Sequence, residues 1–159
     1  MIKNSNFSVN SSHQKPIDGD VTFKANKTAK PLVIFCHGYK GFKDWGAWHL
    51  IANAFSEAGY FFVKFNFSHN GVNIDHPTEF TDLDAFGKDN YSKQLEDLNT
   101  VIDFFEKENE FSEEIDFSEL SLIGHSRGGG ITILQANQDT RVKKLVTWAA
   151  VSDFGNRFP

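Results

Sequence analysis

The sequence has little of what marks secreted, disulfide-bonded or membrane-spanning proteins. A single cysteine, Cys36, stands among 159 residues, which excludes a framework of disulfides. Because Cys36 lies inside an apolar run, we expect a buried, reduced thiol of the kind found in cytoplasmic proteins. No apolar run approaches the length of a membrane span, and the N-terminus lacks the apolar region of a signal peptide. We therefore predict a cytoplasmic protein without a membrane partner.

Basic clusters, internal repeats and low-complexity segments are also missing. The formal net charge is −5 and no stretch is rich in lysine or arginine, which argues against nucleic acid as a partner. What the chain does have is apolar material, since 40% of its residues are hydrophobic and 17 of the 159 are phenylalanine. This is enough for a core, and the length fits one domain that takes in residues 1–159.

Strand patterns dominate the first part of the chain. Residues 5–10 and 20–25 alternate polar and apolar side chains, and residues 16–19 (Pro-Ile-Asp-Gly) predict a turn between them. We therefore expect a two-stranded antiparallel hairpin. Residues 31–36 are continuously apolar, which is typical of a strand covered on both faces in a parallel sheet.

Helices and strands alternate in the rest of the chain. Asp44 is a candidate N-cap for a helix that Gly59 ends, and Asp97 falls on the polar face of a later helix. The remaining elements are a strand over 60–67, a long polar loop over 68–88, a helix over 91–105, a strand ending before Ser126, a helix over 127–137 and a strand over 145–151. This order predicts an α/β fold, a mostly parallel doubly wound sheet with an antiparallel hairpin at its N-terminal end.

The candidate chemistry is concentrated in Gly124-His125-Ser126-Arg127-Gly128, which directly follows an apolar run. A strand, a sharp turn and a helix in this order expose a serine hydroxyl at the carboxyl edge of a sheet. Glycine is expected at both ends of the pentapeptide because a Cβ there would collide with the neighbouring strand or helix. Such a serine is a nucleophile for acyl transfer, and the backbone N–H of Arg127 is one donor for the oxyanion.

A second motif, His37-Gly38-Tyr39, stands at the end of an earlier predicted strand. Because the carboxyl ends of parallel strands meet at one edge of the sheet, both motifs belong to one site. We assign the second oxyanion donor to the backbone N–H of Tyr39, since Gly38 lets the backbone fold in closely. His37 is expected to support this loop.

With both motifs in place, the sequence resembles the α/β-hydrolase fold. Residues 35–45 (Phe-Cys-His-Gly-Tyr-Lys-Gly-Phe-Lys-Asp-Trp) and 65–71 (Phe-Asn-Phe-Ser-His-Asn-Gly) resemble bacterial serine esterases of the dienelactone-hydrolase-like and cinnamoyl-esterase-like branch. The resemblance covers about residues 18–153. It implies hydrolysis of a small-molecule ester or thioester through an acyl-enzyme, with Ser126 as the nucleophile.

The sequence departs from the family pattern after Ser126. In the family an acid and then a histidine follow the nucleophile, but all six histidines here precede or adjoin it. His125 is expected to pack beside the turn and to point away from the hydroxyl. We interpret His69 and His76 as solvated loop residues, and Asp153 as an acid without a histidine to orient.

No cofactor and no metal are predicted. Asp82 and Asp84 follow His76 in the long polar loop and Asp89 comes directly after it, but their spacing is not that of metal ligands. We interpret them as part of a solvated loop.

A complete domain of this fold has about 250 residues, so we interpret the chain as the N-terminal part of a hydrolase, through its sixth strand. The strand at 145–151 would then form a sheet edge with unpaired backbone groups, open to self-association or to complementation by a missing segment. Two alternatives stay open. The absent histidine favours a non-catalytic binding or assembly module on the same scaffold, and a thioesterase or peptidase of the same fold would share every motif.

Overall fold

The computed structural model describes residues 1–155 as one six-stranded sheet with helices on both faces. The elements are β1 (Ile2–Asn10), β2 (Pro16–Lys24), β3 (Lys30–Cys36), α1 (Trp48–Glu57), β4 (Phe61–Phe65), α2 (Leu83–Gly87), α3 (Tyr91–Glu106), a 3₁₀ turn (Ser112–Glu114), β5 (Ile115–His125), α4 (Arg127–Gln138) and β6 (Lys144–Trp148). The strands lie in the order β1-β2-β4-β3-β5-β6. The β1–β2 and β2–β4 pairs are antiparallel and the other pairs are parallel, which confirms the predicted fold class.

The central strands form where the sequence is continuously apolar. β3 lies between β4 and β5, with Ile34 opposite Val63 on one side and Leu122 on the other. α3 and α4 contribute Leu98 and Ile131 to the core on one face, and α1 packs on the opposite face. This arrangement brings the carboxyl ends of β3, β4 and β5 to one edge of the sheet. No helix within residues 1–155 is long and apolar enough to cross a membrane.

The hairpin turns earlier than the sequence predicted. Asn10 pairs with Pro16, and the turn over residues 11–15 is closed by a hydrogen bond from the Ser11 N–H to the Lys15 carbonyl (3.1 Å). The predicted turn over 16–19 is wrong, because these residues form the start of β2. Gly19 is needed in this strand for packing rather than for a turn. A Cβ on Gly19 would overlap the Phe7 ring on the neighbouring strand.

Two polar residues also lie elsewhere than their patterns indicated. α1 begins at Trp48 and is not capped by Asp44, whose carboxylate accepts hydrogen bonds from Lys43 (2.5 Å) and Lys64 (2.6 Å). Asp97 is 1% exposed rather than on a solvated face, and its Oδ2 accepts the Ser68 N–H at 2.8 Å. Both carboxylates accept hydrogen bonds from groups that the periodicity of the sequence does not identify as their partners.

β6 pairs with β5 on one side and with no other strand of the described residues. It ends at Trp148, three residues before the predicted end, because Ala149 has a φ of +48°. Leu145 and Val146 are 39% and 46% exposed. The predicted sheet edge is therefore present in this part of the chain.

Candidate active site

Ser126 alone joins the end of β5 to the start of α4. Its backbone has φ +54° and ψ −117°, a sparsely populated positive-φ conformation that costs a non-glycine residue about 1–3 kcal/mol. The Ser126 N–H donates to the Trp148 carbonyl (2.9 Å), and its own carbonyl accepts from the Val151 N–H (3.1 Å). The strained turn is thus held by the last residue of β6 and by the chain that follows it.

The glycines on either side of Ser126 have no room for a side chain. A Cβ on Gly124 would overlap the Gly128 carbonyl oxygen and the Thr132 hydroxyl. One on Gly128 would overlap the backbone carbonyls of Cys36 and His37. Both collisions expected from the sequence are therefore present, and they bring α4 directly against the end of β3.

The loop after β3 reaches Ser126 through Gly38. A Cβ on Gly38 would lie 3.0 Å from the Cβ of Ser126. The Gly38 carbonyl accepts hydrogen bonds from the Gly41 N–H (3.0 Å) and from His37 Nδ1 (2.9 Å). The His37 ring is 2% exposed, and burial lowers its pKa to about 4, so it is neutral and Nδ1 carries the proton. Because the peptide is trans, the N–H of Tyr39 points away from this buried carbonyl.

A cleft of about 210 Å³ opens beside Ser126, and we call it the Ser126 cleft. It is lined by Gly38, Tyr39, Lys40, Gly41, Trp45, Trp48, His125 and Ser126. The His125 ring packs against the Trp48 indole, with 5.3 Å between ring centroids. A cavity of about 400 Å³ lies against β1, β2 and the loop near Ile74, but none of its lining residues is a serine with a positive φ.

The other candidate residues do not reach Ser126. Within residues 1–155, no side-chain hydrogen bond joins the Ser126 hydroxyl to a histidine or a carboxylate. His76 is exposed, as predicted, and Asp153 is exposed and accepts the N–H of Gly155. The prediction for His69 is wrong, because it is 6% exposed and bonded to the Ser68 hydroxyl (2.9 Å).

The solvated-loop interpretation also fails for two acids. Asp82 caps α2 through the Ala85 N–H and pairs with Lys15, whereas Asp84 is exposed as expected. The Asp89 side chain is only 5% exposed, and burial raises its pKa to about 6. Its Oδ2 lies 3.5 Å from the guanidinium of Arg127, the residue after Ser126.

Sequence reasoning missed the residues that hold the Arg127 side chain. Gln94 Oε1 accepts the Arg127 Nε–H (3.1 Å), and the guanidinium carbon lies 4.4 Å from the centroid of the Tyr91 ring. A signal was available, because Gln94 falls on the same face of α3 as the apolar residues. A polar side chain on a buried face is expected to have a partner.

A second missed feature ties the Tyr39 loop to the sheet. Lys43 and Lys64 each contact both Asp20 and Asp44, at 2.5–2.8 Å, in a closed ring of alternating charges. Lys64 is 4% exposed in β4, opposite Asp20 in β2. The lysine in an otherwise apolar strand was the available signal.

Comparison with known proteins identifies the family of the fold. Residues 31–157 match the family described as the alpha/beta hydrolase fold. Two curated Escherichia coli relatives, each an uncharacterized 31.7 kDa protein in the traX-finO intergenic region, are 34% and 33% identical over 123 residues. These residues make up 77% of this chain, which spans only 38% of the length of either relative.

Solved structures show the same fold at low sequence identity. The alpha/beta hydrolase GrgF from Penicillium sp. has a TM-score of 0.73 at 19% identity, covering 93% of this chain and 46% of its own. A dienelactone hydrolase from Anabaena variabilis has a TM-score of 0.73 at 14% identity, covering 94% of this chain and 64% of its own. With its strand order, its family match and these relatives, the chain belongs to the alpha/beta hydrolase fold family.

Proposed function

We propose that this chain carries the nucleophile and the oxyanion-binding groups of a serine hydrolase that cleaves small-molecule carboxylic esters through an acyl-enzyme. The observation that carries the proposal is Ser126, held at φ +54° between β5 and α4 and facing a cleft beside Gly38. Strain of this kind concentrates at functional sites and needs surrounding contacts to maintain it.

In the proposed reaction the Ser126 hydroxyl attacks the ester carbonyl, and the carbonyl oxygen becomes an oxyanion. The N–H of Arg127 is at the first position of α4, so it has no acceptor within the helix and lies at the positive end of the helix dipole. The N–H of Tyr39, turned away from the buried Gly38 carbonyl, is the second donor. One such donor contributes about 3–4 kcal/mol to stabilisation of the transition state.

The general base and its acid are proposed to come from outside the described residues. The hydroxyl of Ser126 has no histidine partner among residues 1–155, and a serine at its own pKa is a poor nucleophile. The relatives are longer than this chain, which spans 38% of the curated ones. We therefore expect the 159-residue chain alone to react slowly.

The absence of a histidine partner for Ser126 among residues 1–155 also supports a second candidate function. A scaffold of this family without a base next to Ser126 would bind a ligand or partner without turning it over. A thioesterase or peptidase would use the same groups as an esterase, and the leaving group separates these activities.

The exposed β6 edge supports self-association or complementation of this chain. The single buried thiol, Cys36, is in keeping with the cytoplasm.

Reaction with a fluorophosphonate, followed by intact mass, tests the proposal without a choice of substrate. We expect slow formation of one adduct, acceleration by added imidazole as a substitute base, and loss of the adduct in Ser126→Ala. Ser68→Ala is the matched control, because Ser68 is the serine bonded to a histidine. An adduct that persists in Ser126→Ala, or no adduct on folded protein even with imidazole, would overturn the proposal in favour of a binding module.

A further inference from the structure

The Arg127 side chain is largely buried although its proposed contribution to the reaction is a backbone N–H. Any residue except proline would supply that N–H, so the reaction does not explain why arginine stands at this position. The side chain is 11% exposed and reaches across to the start of α3. Burying a guanidinium is costly unless it is paired and hydrogen-bonded.

Three groups hold the guanidinium on the α3 side. Its Nε–H donates to Gln94 Oε1 at 3.1 Å, and its Nη2 lies 3.5 Å from Asp89 Oδ2. Gln94 in turn donates from Nε2 to the same Asp89 oxygen at 2.7 Å. The Tyr91 ring lies 4.4 Å from the guanidinium carbon, within cation–π range. Gln94 is 3% exposed and the Asp89 side chain 5%, so this is a buried network rather than a surface ion pair.

The guanidinium also contacts the loop that carries the other proposed donor. Its carbon lies 5.7 Å from the centroid of the Tyr39 ring, again within cation–π range. The Tyr39 ring stacks on Phe86 of α2 at 5.6 Å. The two residues whose N–H groups would bind the oxyanion are therefore joined through their side chains.

We infer that Arg127, held by Asp89, Gln94 and Tyr91, is a positioning residue that fixes the N–H groups of Tyr39 and Arg127 relative to each other. We call this set the Arg127 clamp, and its role rests on the proposed function. An oxyanion hole works only when its donors are preorganised, at about 2.7–3.1 Å from the developing charge. The first turn of a helix and an exposed loop both need such support, and Tyr39 is 43% exposed.

The clamp is tested with Arg127→Lys, Asp89→Asn and the double variant in the full chain. Lysine keeps the charge and the backbone N–H but loses the planar donor fork and the stacking of the guanidinium. Arg141→Lys is the matched control, because Arg141 is also held by carboxylates, those of Asp103, Glu106 and Asp139. Two experiments are made: fluorophosphonate labelling at Ser126 with imidazole, which gives a rate and an apparent affinity, and hydrogen exchange of the Tyr39 and Arg127 amides.

We expect each single variant to slow the labelling step about ten- to a hundredfold with little change in apparent affinity, since misplacement by about 1 Å can cost a hundredfold. The double variant should be no slower than the worse single one, because both break the same contact. Exchange of the Tyr39 amide should quicken in all three variants and stay unchanged in Arg141→Lys.

Unchanged labelling and unchanged Tyr39 exchange in folded Arg127→Lys would overturn the clamp while leaving Ser126 chemistry intact. If the parent chain is not labelled at all, the proposed function fails, and the exchange data then decide the clamp alone. Should Asp89→Asn not fold, Arg127→Lys and Gln94→Leu decide the outcome. Additive losses in the double variant would also contradict a shared contact.

Discussion

Asp97→Asn should change the stability of this protein in opposite directions at high and low pH. Asp97 is 1% exposed in α3, its Oδ2 accepts the Ser68 N–H, and its Oδ1 is buried without a hydrogen-bond partner within residues 1–155. Burial raises the pKa of Asp97 from its ordinary value of 3.8 to about 6, against the hydrogen bonds from Ser68 and the field of His13, which lower it. The folded protein therefore binds this proton more tightly than the unfolded chain does.

The sign and size of the effect follow from linkage. One pKa unit corresponds to about 1.4 kcal/mol, so ionised Asp97 costs roughly 3 kcal/mol of folding free energy above pH 6. This cost develops as the pH rises from about 4 to about 6 and is absent when the carboxyl is protonated. Asparagine does not carry the cost of a buried charge. Its buried amide leaves an N–H₂ group without an acceptor, however, which lowers the free energy of unfolding by about 1–2 kcal/mol.

We therefore expect Asp97→Asn to be about 1–2 kcal/mol more stable than the parent near pH 8 and about 1–2 kcal/mol less stable near pH 4. Urea unfolding at the two pH values measures both differences. Asp103→Asn on the same helix is the control, because Asp103 is partly exposed and paired with Arg141, and its effect should not change sign. A pH-independent effect of Asp97→Asn would refute the reasoning.

Three further perturbations have expected outcomes. Ser126→Gly should raise the midpoint of thermal unfolding, because relief of the backbone strain adds about 1 kcal/mol of stability. Ser126→Ala keeps the strain, so equal midpoints for the two variants would contradict this. Lys64→Met should destabilise the chain by about 3–5 kcal/mol in urea unfolding, because Asp20 and Asp44 lose their buried partner; a loss below about 1 kcal/mol would show that the ring of charges is not a unit. Val146→Lys should reduce self-association in sedimentation velocity, because a lysine on an edge strand opposes pairing; an unchanged distribution would exclude the β6 edge as the contact.

The sheet and the Ser126 turn could be predicted because their signals are local. Continuous apolar runs specify the strands buried on both faces, and the crowding between Gly124 and Gly128 leaves glycine as the only residue that fits. The turn of the hairpin could not be predicted, because Pro-Ile-Asp-Gly is typical of a turn. Only the Phe7 ring above Gly19 shows why a glycine is needed inside a strand.

The network around the site could not be predicted, because its contacts join distant parts of the chain. Asp89 and Arg127 are adjacent only once α3 and α4 have packed, and an aspartate in a long polar loop is usually solvated. Likewise, Lys64 finds Asp20 only through the antiparallel pairing of β2 with β4. Side chains that position a site are therefore harder to find from sequence than the backbone groups they hold.

The single cysteine gives this protein a native reporter of its own opening. Cys36 is 0% exposed at the end of the central strand β3, and burial raises the pKa of its thiol far above the ordinary range. A thiol reagent can reach it only after this part of the core opens, since Cys36 lies in the same buried cluster as Leu98 of α3 and Ile131 of α4. The rate of its modification, compared with that of an exposed thiol, therefore gives the free energy of opening at the strand that leads into the Tyr39 loop.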